Sequence, residues 1–402
     1  MKIDASLIHG TVQPGLEQVR VEFERNFVER GEIGAACCAY HQGRKVVDLW
    51  GGHRDPRTRA PWEEDTLVVV YSTTKGLASM AVALAHSRGL LDYEERVAAY
   101  WPEFAQEGKE NVTVRQLISH QAGLCAIDET LSIKHMADLD YVAWAIAKQK
   151  PAWEPGTRNG YHAISLGWYQ GELIRRVDPA HRSLGRFFQE EIAGPLGLEF
   201  YIGCPESLPD SRVATIKPFR LRNIFSSIGK MAPALIKAYF NPASLTHKTL
   251  NNPRMHRADY FNRPDVRRLE LPAANGTGQV RSIAKAYGAF ACGGRELGIR
   301  EETMSALTGP EQPPSAGPMD EVLKVNTSYS LGFSKPFKEF NFGTSGKAFG
   351  APGAGGSFAY ADPDAEIGFA YAPNRMDLYM WDDPREKSLR DALYRCLGIR
   401  VS

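Results

Sequence analysis

The chain has no excess of either charge. Lys and Arg total 48 against 47 Asp and Glu in 402 residues, a formal net charge of +1, so no global field draws it to nucleic acid. Long hydrophobic runs are missing too. Met1-Lys2-Ile3-Asp4-Ala5 contains no apolar signal core, and no later stretch is long enough to span a bilayer, so a cytoplasmic protein is expected. Cysteine is sparse. Cys37, Cys38, Cys125, Cys204, Cys292 and Cys396 are scattered, mostly among apolar neighbours and without metal-ligand spacing. Buried free thiols are expected, with no metal site. Internal repeats and low-complexity segments are also absent. What remains is the composition of an ordinary globular protein, 43% hydrophobic and 24% charged, with enough chain for two packed regions.

One stretch stands out against that background. Leu67-Val68-Val69-Val70-Tyr71 is an apolar segment of buried type that stops at Ser72, after which Leu77, Met80, Ala81, Leu84 and Ala85 recur at helical spacing. Ser72 is therefore expected at a helix N-terminus, where free N–H groups favour negative charge developing beside it. Lys75 follows one turn later on the same side, within reach of the Ser72 hydroxyl. Serine is unreactive at its own pKa, and a lysine takes its proton only if burial or a neighbour keeps the amine partly neutral. The same tetrapeptide also marks an ordinary N-cap serine. Its spacing recurs at Ser227 to Lys230 and at Ser282 to Lys285. Context separates the three. Ser282 opens a helical pattern and reads as an N-cap with a solvated lysine behind it, Ser227 falls in an irregular basic region, and only Ser72 has an apolar run leading into it.

Taken in order, residues 15–30 read as a helix with Leu16, Val19, Phe23 and Phe27 along one stripe. Gly34 to Tyr40 and Lys45 to Trp50 flank His41-Gln42-Gly43-Arg44 and read as a hairpin. After the Ser72 helix, shorter helical patterns follow at Thr113 to Ser119, Asp138 to Lys148, Ser165 to Arg176 and Leu184 to Ile192. Strand-like sequence returns at Tyr329 to Lys335, Gly355 to Ala361 and Ile367 to Ala372, before a final helix from about Pro384 to Cys396. The expected fold is α+β in a single unit spanning 1–402. A mixed sheet region comes from about 1–80 and 270–402, and a mostly helical domain of about 81–269 is inserted in it.

Within that insertion, the window from Ser211 to Ala258 carries nine basic residues and no acidic one, interleaved with Phe, Ile, Leu and Met. It reads as a cap over a pocket or as a solvated basic face on a helix pair. The same mixture suits peripheral contact with an anionic membrane.

Two further segments carry chemistry if Ser72 is a nucleophile. Pro155-Gly156-Thr157-Arg158-Asn159-Gly160-Tyr161-His162-Ala163 is a turn that presents Tyr161 before a helix. A phenol near an ammonium can share its proton, although a buried tyrosine with a satisfied hydroxyl fits the same residues. Phe349-Gly350-Ala351-Pro352-Gly353-Ala354-Gly355-Gly356-Ser357 is glycine-rich and leads into a strand, a pattern of close backbone approach. A backbone N–H on such an edge can supply half of an oxyanion hole. No helix with Lys and Ser or Thr follows, which argues against a phosphate loop.

As an ordered set, Ser72-Thr73-Thr74-Lys75, Leu117-Ile118-Ser119-His120-Gln121-Ala122-Gly123-Leu124, Pro155-Gly156-Thr157-Arg158 with Tyr161, Pro195-Leu196-Gly197-Leu198 and the Gly353 segment resemble the serine β-lactamase-related superfamily. More narrowly, the chain looks like the family VIII carboxylesterases and other class C β-lactamase-like hydrolases. That resemblance implies a β-lactamase/transpeptidase-like fold, an antiparallel sheet flanked by helices. It implies a Ser72 nucleophile, an activating Lys75 and a proton-relaying Tyr161, with the backbone N–H groups of Ser72 and Ala354 as oxyanion hole. Ala351, Gly353, Gly355 and His162 would contact substrate. No cofactor or metal is implied. Where the β-lactamase branch has Lys-Thr-Gly, this chain has Ala351-Pro352-Gly353, and Tyr-x-Asn is replaced by Tyr161-His162-Ala163. His120 lies in the shared motif and is expected to pack structurally. The expected activity is hydrolysis of a small carboxylic ester through an acyl-enzyme. The alternatives are hydrolysis of a β-lactam or D-amino-acid peptide, acyl transfer to a non-water acceptor, and non-catalytic binding on the same scaffold. The oligomeric state is left open.

Overall fold

The computed structural model describes residues 7–219, 231–255 and 258–401. The S-x-x-K match at Ser227 to Lys230, the first five residues and part of the basic window lie outside the described residues.

The strands in chain order are β1 (Ile8–Val12), β2 (Gly34–His41), β3 (Arg44–Gly52), β4 (Val68–Val69), β5 (Phe200–Tyr201), β6 (Thr277–Gly278), β7 (Tyr329–Ser330), β8 (Phe333–Ser334), β9 (Phe349–Gly353), β10 (Ser357–Asp362) and β11 (Ile367–Pro373). An eight-stranded sheet runs β1-β3-β2-β11-β10-β9-β8-β7, with antiparallel rather than mixed pairing throughout. The two ends of the chain meet at its centre, where β2 pairs with β11 from Ala35 opposite Pro373 to His41 opposite Ile367. The β2–β3 hairpin turns on Gln42 and Gly43 at φ of 52° and 72°, the positive pair that a two-residue turn between twisted strands requires.

The helices that frame the sheet and the site are α1 (Glu17–Val28), α2 (Thr74–Ser87), α3 (Ser165–Val177), α4 (Val280–Ala291) and α5 (Pro384–Leu397). Side chains alternate across the sheet. Cys37, Phe358, Tyr360, Phe369 and Tyr371 share a core with α1 and α5, whereas Cys38, Ala359, Ala361, Ala370 and Ala372 turn to the larger core that holds α2 and α4. Small residues on that second face let α4 approach closely. A Cβ added to Gly368 would lie 2.1 Å from the Gly288 nitrogen. Every residue of α2 is buried, so this helix is enclosed on all sides rather than presenting one face to solvent.

Several expectations are corrected. Leu67–Val70 does not enter the main sheet; Val68 and Val69 pair with β6 in a small sheet of order β4-β6-β5. Tyr329 to Lys335 is two short strands rather than one, folded back at Leu331 and Gly332 with φ of 52° and 87°. Phe349–Gly353 is itself a strand. Ser282 is not an N-cap. Gln279 holds that position, Ser282 lies buried inside α4 and accepts the Glu199 N–H at 2.9 Å, and Lys285 donates to the Leu196 carbonyl at 2.6 Å rather than standing solvated.

Candidate active site

Ser72 lies in a 3-10 turn, Tyr71–Thr73, that runs directly into α2. The turn is pinned on both sides. Val70 N–H donates to the Gly276 carbonyl at 3.0 Å, and Gly276 N–H donates to Thr74 Oγ1 at 2.9 Å. From the sheet, Ser357 Oγ donates to the Val70 carbonyl at 2.8 Å while Thr73 Oγ1 donates to Ser357 Oγ at 3.1 Å. Tyr71 holds a φ of 48°, a left-handed conformation that costs a side-chain-bearing residue about 1–2 kcal/mol. These contacts sustain it.

Lys75 is buried one turn later. Its Nζ lies 3.0 Å from Ser72 Oγ, 2.7 Å from the Ala163 carbonyl and 2.9 Å from the Ala273 carbonyl. Burial holds its pKa well below the ordinary lysine value. A neutral amine has two N–H bonds and one lone pair. In that neutral form the two carbonyls, which can only accept, would take both N–H groups and leave the lone pair for the Ser72 hydroxyl. An amine so placed can accept a proton from the serine hydroxyl once it is neutral.

Tyr161 closes the group. Its phenol lines the same cavity wall as Ser72, near enough for Ser72 to lower its pKa, and Lys75 Nζ sits 4.8 Å from its ring centroid. Burial pushes the phenol up to about 12, with the Ser72 contact pulling the other way. At neutral pH it therefore carries its proton and can donate it to an oxygen beside Ser72. Behind the phenol, Tyr329 stacks at 6.2 Å, and the buried Asp320 is held by the N–H groups of Val322 and Leu323 on its Oδ1.

His162 is the clearest correction. It was expected to contact substrate, yet it is fully buried, directed at Tyr169 and absent from the cavity wall, which His120 lines instead. The peptide after Tyr161 turns the His162 ring inward, where its Nδ1 meets the Gly160 carbonyl at 2.7 Å.

On the opposite wall, β9 brings Ala351, Gly353, Ala354 and Gly355 to the cavity. Gly353 has to be glycine, because a Cβ there would fall 2.2 Å from Ser357 Oγ and 2.4 Å from the Val70 carbonyl. Ala354 sits on the turn that follows. Gly355, at φ of 91°, has its carbonyl held by Arg385 Nη2 at 2.8 Å. Arg385 is itself buried and paired with Glu32 at 2.9 Å and Asp383 at 2.7 Å, and Tyr371 donates to Glu32 at 2.6 Å. This ionic anchor was not foreseen. The only local signal is Asp383 before Pro384, which marks the start of α5. Lys347, four residues before Ala351, is exposed, paired with Asp364 at 2.8 Å and outside the cavity wall.

The cavity holds about 440 Å³. Met231, Leu235, Leu250, Pro253 and Met255 wall one side and Met376, Leu378 and Trp381 another, and the charged side chains among its described walls are Lys75 and Asp377. Asp377 pairs with Arg375 at 3.5 Å. Among the described residues no group of three or more His, Cys, Asp or Glu could hold a metal ion, and no helix is long and apolar enough to cross a membrane.

Comparison with known proteins identifies the family of the chain. The family model described as Beta-lactamase matches residues 20–393. The esterase/beta-lactamase LipL of Mycobacterium tuberculosis is 31% identical over 92% of this chain and 83% of its own length. The crystal structure of a family VIII carboxylesterase superposes with a TM-score of 0.82 at 40% identity, covering 97% of this chain and 99% of that one. EstA from Arthrobacter nitroguajacolicus Rue61a gives 0.81 at 30% identity, with 96% and 98% covered. The chain belongs to the β-lactamase family and is a serine hydrolase.

Proposed function

We propose that the chain is a carboxylesterase that works through an acyl-enzyme on Ser72. One observation carries the reading: Lys75 Nζ, buried so that its pKa falls well below the ordinary lysine value, lies 3.0 Å from Ser72 Oγ. Lys75 takes the serine proton as Ser72 attacks the ester carbonyl, and the N–H groups of Ser72 and Ala354 receive the negative charge on the carbonyl oxygen. Tyr161 donates to the departing alkoxide and is reprotonated through Lys75. Water then repeats the sequence on the acyl-serine with the same base. No cofactor takes part. The esterases to which the chain is similar support the ester as substrate, and the apolar walls support an uncharged one. The name of the relative LipL keeps β-lactam hydrolysis as a second reading, and the methyl group at Ala351 weighs against it.

Two further features belong to this reading. The helices Pro233–Tyr239 and Leu245–Asn251 set Leu235 and Leu250 in the cavity wall and leave Lys237, Phe240 and Lys248 exposed. They act as a cap whose outer face suits peripheral contact with an anionic lipid surface. The free cysteines fit a reducing compartment, and a cytoplasmic location is proposed on that ground. The decisive test is a fluorophosphonate probe with p-nitrophenyl esters on wild type and Ser72→Ala. The wild type should label and turn over, and a Ser72→Ala protein that still does either ends the proposal.

A further inference from the structure

Tyr161 lies in an irregular loop between Gly160 and His162, yet a phenol that relays protons must hold one orientation. A displacement of about 1 Å at such a group costs on the order of 10²-fold in rate. The two N–H groups that flank Tyr161 both end on a single residue. The His120 carbonyl accepts the Gly160 N–H at 2.9 Å, and the His120 ring accepts the His162 N–H on Nδ1 at 3.0 Å. The same ring packs against Tyr161 at 5.2 Å and stands edge-on to Tyr329 at 4.4 Å. To present carbonyl and ring together, His120 adopts a φ of 65°, a backbone conformation that residues with a side chain rarely hold unless their surroundings enforce it.

The proton positions follow from the partners. A nitrogen that accepts an N–H carries no proton of its own, so His120 works with its proton on Nε2. The Gly160 carbonyl, 2.7 Å from His162 Nδ1, can only accept, which puts a proton on that nitrogen of His162. Burial, reinforced by His162 and Lys75, holds the His120 pKa well below the ordinary histidine value, so the ring stays neutral and its Nδ1 stays an acceptor.

We propose that His120 is the positioning residue for Tyr161, fixing the phenol relative to Ser72 by holding the N–H groups on either side of it. The inference rests on the reading of Tyr161 as proton relay. His120 transfers no proton in it and acts through the loop N–H groups it holds and the phenol ring it packs against.

Asparagine and glutamine distinguish the two ring nitrogens, because the Asn Oδ1 falls near the place of Nδ1 and the Gln Oε1 near that of Nε2. His120→Asn should keep kcat for a p-nitrophenyl ester within about 3-fold of wild type, while His120→Gln should lose about 10- to 100-fold in kcat with KM nearly unchanged. In a Tyr161→Phe background the His120→Gln loss should shrink to under about 2-fold, since no phenol is left to misplace. If His120→Gln does not fold, His120→Leu serves as the variant without an acceptor. Equal activity of the Asn and Gln variants, a better Gln variant, or an undiminished loss in the Tyr161→Phe background overturns the proposal. Wild-type turnover by Tyr161→Phe alone removes the relay reading beneath it, so the two failures are told apart.

Discussion

Ser357 Oγ donates to the carbonyl of Val70, 287 residues away in sequence, at 2.8 Å, and so ties the central sheet to the turn that carries Ser72. Gly353 lies against both ends of this bond. Gly353→Ala should therefore destabilise the protein by about 1–3 kcal/mol, the usual range for forcing an extra carbon into a packed site. It should also lower kcat by more than about tenfold by shifting the Ala354 N–H. Urea unfolding and ester kinetics on one preparation check both. Unchanged values would mean that β9 and the Ser72 turn are not rigidly coupled.

Lys75 makes activity and stability depend on pH in the same direction. Its folded pKa is depressed by burial, so below the unfolded value of about 10.4 the unfolded chain binds the extra proton. Stability should rise with pH toward that value and fall as pH is lowered through the folded pKa. Lys75→Met should flatten the slope of melting temperature against pH between neutrality and pH 10. For catalysis, kcat/KM should rise with pH as the amine deprotonates. Lys75→Arg, permanently charged, should cost on the order of 10² or more.

Ala351 sets the expected preference between ester and β-lactam. A β-lactam carries a carboxylate near its reacting carbonyl, and apart from the buried Lys75 no Lys or Arg lines the described cavity to meet it. Nitrocefin should be turned over far less well than p-nitrophenyl butyrate. Ala351→Lys should raise nitrocefin turnover by about one to two orders of magnitude, the equivalent of one charge-assisted hydrogen bond of about 1.5–3 kcal/mol. Efficient nitrocefin turnover by the unmodified protein would refute the preference.

The cap can be tested from its two sides separately. Leu235→Ala and Leu250→Ala, on the inner side, should change the chain-length preference for p-nitrophenyl esters and leave vesicle binding alone. Lys237→Glu with Lys248→Glu and Phe240→Ser, on the outer side, should reduce co-sedimentation with anionic vesicles and leave hydrolysis of a soluble ester alone. A single set of variants changing both readouts would show that the two faces are not independent.

Much of the fold was legible because its signals are local. The β2–β3 hairpin, α1, α2 and α5 all follow from periodicity and turn residues within a dozen positions, and their bounds agree with the reading to within a few residues. The strands that were missed or misjudged are short or glycine-rich. β7 and β8 have two residues each, too few to show an alternation, and β9 is held by pairing to β8 and β10 rather than by its own propensity.

At the site, the placing of Ser72 and Lys75 on one face of one helical turn is local, because a three-residue spacing does so whatever surrounds the helix. Tertiary structure alone decided that the amine is buried and bonded to the carbonyls of Ala163 and Ala273, 88 and 198 residues away. It also decided that His120 rather than His162 meets the cavity, since an irregular loop has no period from which to read a side chain's direction. Arg385 behind the Gly355 carbonyl follows the same rule. Its pairing with Glu32 spans 353 residues, and a contact between positions that distant exists only once the chain's two ends have closed into a single sheet.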